Sequence, residues 1–157
     1  MKKVGFTIGK FAPFHKGHEL LIQTALNEMD EVYVVVYDTD LINVNIETRA
    51  NWIKKVFPRV KIIYAFDSPK QYGLDEESVN IQMKYLSNLV KDKNVTHFYS
   101  SERYGEKVAD YLNIKNRIVN IDRDIIPIHA SQIRSDLKNN RKYIEGFIYK
   151  DLLKNGE

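Results

Sequence analysis

The sequence contains no cysteine. Disulfide frameworks, thiol nucleophiles and thiolate metal sites are therefore excluded. Long hydrophobic runs are also missing. The longest fully apolar stretch, Val32 to Tyr37, is far too short to span a bilayer. No G-x-x-x-x-G-K-[ST] occurs, which excludes a P-loop, and no H-E-x-x-H occurs either. There is no internal repeat, low-complexity tract or linker. A large excess of one charge is lacking too. The net charge of +3 suits small anionic ligands but gives no footing for nucleic acid or a membrane surface. The first strand begins almost at once and leaves no room for a signal peptide, so a cytoplasmic location is expected.

What is present reads as one domain over residues 1–157, with 43% apolar and 29% charged residues. Apolar runs at 4–8, 32–37, 60–65, 96–99 and 117–121 predict five strands. The β-branched run at 32–37 lacks alternation, which suggests a strand covered on both faces. Between the strands, apolar residues recur at helical spacing. Leu20 to Met29, Ile46 to Phe57, Val79 to Val90 and Val108 to Leu112 predict helices. Ser131 is a natural N-cap for a helix starting at Gln132, and Tyr143 to Leu153 predicts a last helix. Alternating strands and helices predict an α/β fold: a doubly wound, parallel five-stranded sheet with helices on both faces.

The stretch that organises the chain is Gly9-Lys10-Phe11-Ala12-Pro13-Phe14-His15-Lys16-Gly17-His18. It joins the first strand to the first helix, at the sheet edge where open α/β proteins bind ligands. Gly9 permits a turn and a close approach of ligand. Gly17 removes a side chain between the two imidazoles. His18 falls at a helix N-terminus, where free N–H groups favour an anion. Two histidines and Lys10 around such a point read as a cradle for a polyphosphate. Two histidines three apart are also a metal-ligand spacing, but without cysteine or H-E-x-x-H zinc ranks well below phosphate, and no protein metal site is expected.

G-K-F-A-P-F-H-K-G-H resembles the (H/T)-x-G-H signature of the nucleotidylyltransferase superfamily. Class I aminoacyl-tRNA synthetases share a similar element, but this chain is too short for one and has no lysine-rich KMSKS-like loop. Within the superfamily the chain most resembles the NadR-like nicotinamide mononucleotide adenylyltransferases, over residues 4 to about 137. Ser100-Ser101-Glu102-Arg103-Tyr104-Gly105 resembles their S-S-E-x-Y-G. Asp122-Arg123 resembles a shortened D-x-x-R. Arg49, Trp52, Ile53 and Phe57 resemble R-x-x-W-L-x-x-x-F. Ile128-His129-Ala130-Ser131-Gln132-Ile133-Arg134 resembles I-S-x-T-x-I-R, with His129 in place of serine and Ser131 in place of threonine.

The resemblance implies a Rossmann-like domain that transfers the adenylyl group of ATP to nicotinamide mononucleotide, giving NAD and pyrophosphate. It implies catalytic roles for His15, His18, Lys10 and Arg134. His18 would meet the α-phosphate with His15 beside it, and Arg134 with the Ser131 helix end would take the β- and γ-phosphates. ATP contacts are expected from Gly9, Phe11, Gly17, Ser101, Arg123, Ile128, His129 and Ser131. Asp38, Trp52 and Tyr104 are candidates for the acceptor. For Trp52 a boundary residue packing on a neighbouring loop is the favoured reading over an aromatic wall for a base, and Asp38 reads equally as a residue that merely opens a loop. Mg²⁺ is expected to arrive with ATP. The partners are small molecules, with a homo-oligomer left open. Relatives carry an additional DNA-binding segment or a kinase; neither fits in these residues, so a stand-alone transferase is expected. Transfer to phosphopantetheine, glycerol phosphate or choline phosphate, and a non-catalytic ATP or NAD sensor, are the rival readings.

Overall fold

The computed structural model describes residues 1–70, 73, 75–120 and 123–157. Its elements are β1 (Val4–Gly9), α1 (Lys16–Glu28), β2 (Glu31–Tyr37), α2 (Ile46–Val56), β3 (Lys61–Ala65), α3 (Glu76–Val90), β4 (His97–Ser100), α4 (Gly105–Leu112), β5 (Lys115–Ile118), α5 (Ala130–Ser135) and α6 (Gly146–Lys154). A short 3₁₀ turn, Arg141–Tyr143, precedes α6. The five strands form one parallel sheet in the order β3-β2-β1-β4-β5. The expected doubly wound architecture is therefore present.

The centre of the sheet shows why. Val34 and Val36 of β2 join one apolar core with Ile22, Ile53, Ile133, Ile148 and Leu152. Val35 between them joins the opposite core with Phe6, Met83, Leu86, Phe98 and Val108. Successive strand residues point to opposite faces, so an unbroken valine run needs helices on both sides. The first core is covered by α1, α2, α5 and α6, the second by α3 and α4.

Two shifts from the expected boundaries lie beside the crevice. The last strand spans 115–118 rather than 117–121, and Ile121 lies outside the described residues. This is an edge strand whose Lys115 and Arg117 are exposed, so it carries no apolar run to locate it. The fifth helix starts at Ala130 with His129 as its N-cap, not at Gln132 with Ser131 as cap. Gln132 Oε1 accepts from the His129 backbone N–H at 2.7 Å, which fixes the earlier start. Among the described residues no helix is long and apolar enough to cross a membrane.

Strands β1 and β2 stay paired over six residues, from Val4–Glu31 to Gly9–Val36. Strands β1 and β4 pair only at Gly5–His97 and Phe6–Phe98. Beyond that point they part, and the chain winds away to either side. This is the topological switch point of the sheet, and a crevice opens there.

Arg49 of α2 holds the rim of that crevice. Its side chain is 1% exposed. Nε donates to Val44 O at 3.1 Å, and Nη1 donates to Tyr37 O at 2.8 Å and to Lys10 O. One guanidinium thus joins the ends of β1 and β2 to the loop before α2. Arg49→Met would leave buried carbonyls without donors. We expect it to lower unfolding free energy by about 3 kcal/mol in denaturant titration. An unchanged midpoint would show that water replaces the guanidinium.

Candidate active site

The loop after β1 is built around two imidazoles. His15 is the N-cap of α1, and its Nδ1 accepts from Gly17 N at 3.0 Å. His18 reaches back, and its Nδ1 accepts from His15 N at 3.1 Å. The two rings stack with centroids 3.6 Å apart. This is a reciprocal capping box made by histidines instead of serine and glutamate. Because each Nδ1 accepts, the proton of each neutral ring is on Nε2. The arrangement therefore presents two N–H donors rather than two bases.

Aromatic packing holds these rings. Phe14 stacks on His18 at 5.9 Å, and Phe11 meets it edge-on at 4.8 Å. Phe11 adopts a left-handed backbone, φ 50°, a strained conformation for a bulky residue. Its ring lies where a Cβ on Gly9 would reach, 3.0 Å away. The turn itself falls on Phe11, and Gly9 makes space for that ring. The turn expected at Gly9 thus lies two residues on, and Gly9 itself lines the crevice. At Gly17 a Cβ would lie 2.8 Å from His15 Cε1, so glycine there makes room for the His15 ring.

Burial sets the charge. Desolvation, followed by Arg123 and His129, pushes the His15 imidazole down to about 3. Desolvation, followed by His15 and Arg123, holds His18 well below its ordinary value. Both histidines are therefore neutral donors at pH 7.

The crevice has a volume of about 370 Å³. The lining includes Gly9, Lys10, Phe11, His15, Gly17, His18, Ser101, Tyr104, Arg123, Ile128 and His129, all expected from sequence. The guanidinium facing the histidines is that of Arg123. Its Nη1 donates to Ser101 O at 3.2 Å and Asn120 O at 3.0 Å, and Nη2 lies 3.5 Å from His129 Nδ1. Asp122, the first residue of the resemblance at this point, lies outside the described residues.

Four expected residues do not line the crevice. Arg134 turns away and donates to Ala12 O at 2.8 Å, where it packs beside Pro13 and Ile42. The start of α5 at Ala130 rotates Ala130 to the crevice and leaves Ser131 exposed outside it. Trp52 is 2% exposed in the core, and its indole N–H donates to Asp151 of α6 at 2.8 Å. It packs under the last helix and is not an aromatic wall for a base. Asp38 accepts from the Oγ of Ser68, which lines a neighbouring cavity, at 3.0 Å. Sequence reasoning missed Tyr37, Tyr99 and Asn120, which do line the crevice. Tyr37 ends β2 beside the glycine that ends β1, a signal that the strand assignment already contained.

Fold and crevice define a doubly wound α/β chain with its candidate site at the switch point of the sheet. The chain belongs to the family described as the citrate lyase ligase C-terminal domain, which it matches over residues 7–124. It is 25% identical over 161 residues to the trifunctional NAD biosynthesis/regulator protein NadR of Salmonella typhimurium, covering 91% of this chain and 39% of that protein. The NadR of Escherichia coli is 26% identical over the same coverage. The chain thus spans about two fifths of the length of these curated relatives. Among solved structures, a bifunctional NMN adenylyltransferase/ADP ribose pyrophosphatase from Francisella tularensis, complexed with AMP and manganese, superposes with a TM-score of 0.66 at 19% identity. That match covers 98% of this chain and 52% of the other, and the likeness is one of fold.

The histidine pair has a measurable effect on stability. A pKa lowered in the folded state means that the unfolded chain binds the extra protons. Stability from His15 is therefore present above about pH 6.5 and lost as pH falls toward about 3. Glu19, raised to about 7 mainly by burial, acts in the opposite direction. The comparison must accordingly be with a variant. His15→Asn keeps an acceptor for Gly17 N and should flatten the loss of stability between pH 6 and pH 4. Parallel pH profiles in denaturant titration would show that His15 is not held neutral.

Proposed function

We propose that this chain transfers the adenylyl group of ATP to nicotinamide mononucleotide, giving NAD and pyrophosphate. The observation that carries the reading is the pair of neutral imidazoles, each with its proton on Nε2, opposite Arg123 in the switch-point crevice. The names of the relatives, an NAD biosynthesis protein and an NMN adenylyltransferase, point the same way.

The chemistry asks for donors, not for a base. A phosphate monoester is already ionised at neutral pH. Its oxygen attacks the α-phosphorus of ATP, the bond to the bridging oxygen breaks, and pyrophosphate leaves with the electron pair. What the protein must supply is alignment and neutralisation of charge on the α-phosphate and the leaving group. In this reading His18 donates to the α-phosphate, with His15 beside it. Arg123 faces the leaving pyrophosphate, the role first expected of Arg134. Arg134 becomes a positioning residue that holds the Ala12 carbonyl and with it the histidine loop. Lys10 lines both the crevice and its neighbour, and belongs where the two substrates meet. Mg²⁺ would come with the nucleotide and offset charge on its phosphates. Among the described residues no group of three or more His, Cys, Asp or Glu stands together to hold an ion.

A second acceptor class has one observation behind it. The family is described as that of a ligase domain. A carboxylate can attack the same α-phosphorus to give an acyl adenylate. Incubation with ATP, Mg²⁺ and a panel of acceptors separates these readings by pyrophosphate release. The panel is nicotinamide mononucleotide, phosphopantetheine, glycerol phosphate, choline phosphate and simple carboxylates. Nicotinamide mononucleotide should be fastest; faster turnover with any other acceptor rejects it as the substrate. No turnover with any acceptor, beside tight ATP or NAD binding, would favour a sensor. In the active pair, His18→Ala should reduce kcat by roughly 10²–10³-fold with little change in KM. A raised KM at normal kcat would reduce His18 to a binding residue.

A further inference from the structure

The turn that carries the histidines is tied to the far end of the chain. Lys16, the first residue of α1, lies between His15 and Gly17. A cation is poorly placed there, because the N-terminus of a helix carries partial positive charge. Two carboxyl groups answer it. Lys16 Nζ lies 3.5 Å from Glu19 Oε1, one turn on, and donates to Glu145 Oε2. Glu145 is the N-cap of α6, yet its side chain makes no cap bond to its own helix. It reaches Lys16 instead, 129 positions away in sequence. Glu19 belongs to the capped turn itself, since its backbone N–H donates to His15 O at 3.0 Å.

The cluster holds one cation and two carboxyls, and it is partly closed to water. The Lys16, Glu145 and Glu19 side chains are 36%, 27% and 16% exposed. Ionisation of both carboxyls would leave a net negative charge. It would also strand Glu19 Oε2, a buried oxygen that no donor reaches among the described residues. The two carboxyl groups stand in hydrogen-bonding contact, and such a contact needs a proton between them. A proton on Glu19 restores neutrality and turns the contact from a repulsion into a bond. A neutral carboxyl is also far less costly to bury. Lys16 from α1 and Glu145 from the start of α6 are the charged groups that face Glu19 among the described residues. Burial, then Glu145, pushes the Glu19 carboxyl up to about 7. Lys16, then Glu19, holds Glu145 below its ordinary value, so the proton sits on Glu19 up to about neutral pH.

We propose that Glu19 and Glu145 share one proton in the folded protein, and that this carboxyl pair, with Lys16, clasps the start of α6 to the histidine turn. Neither glutamate lines the crevice. Both are positioning residues that act on it through Lys16 and the turn. Loss of the proton returns a second negative charge to the cluster and loosens the clasp. The seating of the imidazoles therefore depends on pH near neutrality, where neither ring itself titrates. The inference does not rest on which nucleotide or acceptor the crevice takes.

The test follows the glutamate carboxyl carbons and the histidine ring nitrogens by NMR through a pH titration of the wild-type protein without ligand. The Glu19 carbon should titrate near pH 7, and the His15 and His18 nitrogens should shift at the same midpoint. In Glu19→Gln the amide N–H replaces the shared proton, and the histidine inflection should vanish. Glu145→Gln removes the partner carboxylate and should lower the Glu19 midpoint by at least about one pH unit. A carboxyl raised in the folded protein stabilises it fully below about pH 4.5, and that contribution is lost as pH rises through about 7. Glu19→Gln has no proton to lose. Its folding constant relative to wild type should rise at least about tenfold between pH 5 and pH 8 in denaturant titration. Titration of Glu19 at an ordinary carboxyl value, a midpoint unmoved in Glu145→Gln, or a constant ratio of folding constants overturns the shared proton. Histidine signals without an inflection at the Glu19 midpoint overturn the clasp.

Discussion

The start of α1 and the candidate site are one object, because the groups that cap the helix are the imidazoles that face the crevice. A helix leaves its first backbone N–H groups without partners, and a buried start must satisfy them. Here the acceptors for Gly17 N and His15 N are the Nδ1 atoms of His15 and His18. Satisfying the helix therefore fixes which ring atom carries the proton and where each ring lies. The stacked rings and the two phenylalanines beside them follow from the same constraint. So does glycine at position 17, since any side chain there would strike His15.

Two arginines extend this logic to the surrounding backbone. Arg49 gathers carbonyls from the ends of two strands, and Arg134 holds the carbonyl of Ala12. Neither faces the crevice. A buried guanidinium needs several acceptors in fixed directions, so it works well as a brace between loops that make no regular ladder. Loops at a sheet's carboxyl edge lack strand partners, and here two cations supply the cross-links. The same side-chain type thus serves as brace at 49 and 134 and as the charge facing the histidines at 123.

The legible parts of this chain were those set by local pattern. The valine run of β2 announced a strand covered on both faces, and the alternation of strands and helices gave the sheet. The histidine stretch was recognised at its true place, between β1 and α1. What stayed hidden depended on direction. Arg123 is a loop arginine and Arg134 a helix-end arginine, and only the three-dimensional course shows which points inward. A two-residue shift in the start of α5 exchanged Ala130 for Ser131 at the crevice, because a helix turns about 100° per residue. Trp52 was ambiguous on the helix wheel, and its fate was decided by Asp151, ninety-nine positions away. Edge strand β5 carried too little apolar signal to place its ends.

The neutrality of the histidines ties these observations to ligand charge. Burial and Arg123 keep both rings uncharged while the crevice holds no anion. Burial is the larger of those pressures, and the field of Arg123 the one that an anion acts on. The anion offsets the field of Arg123, and it offers an acceptor to each Nε2–H. An anion therefore favours the charged form of the imidazole, and by reciprocity the charged imidazole favours the anion. A site assembled this way carries little self-repulsion when empty, although two imidazoles and a guanidinium share one small space. Such a design fits a reaction in which charge moves from one phosphate to the next, because the donors are held in position before the charge arrives.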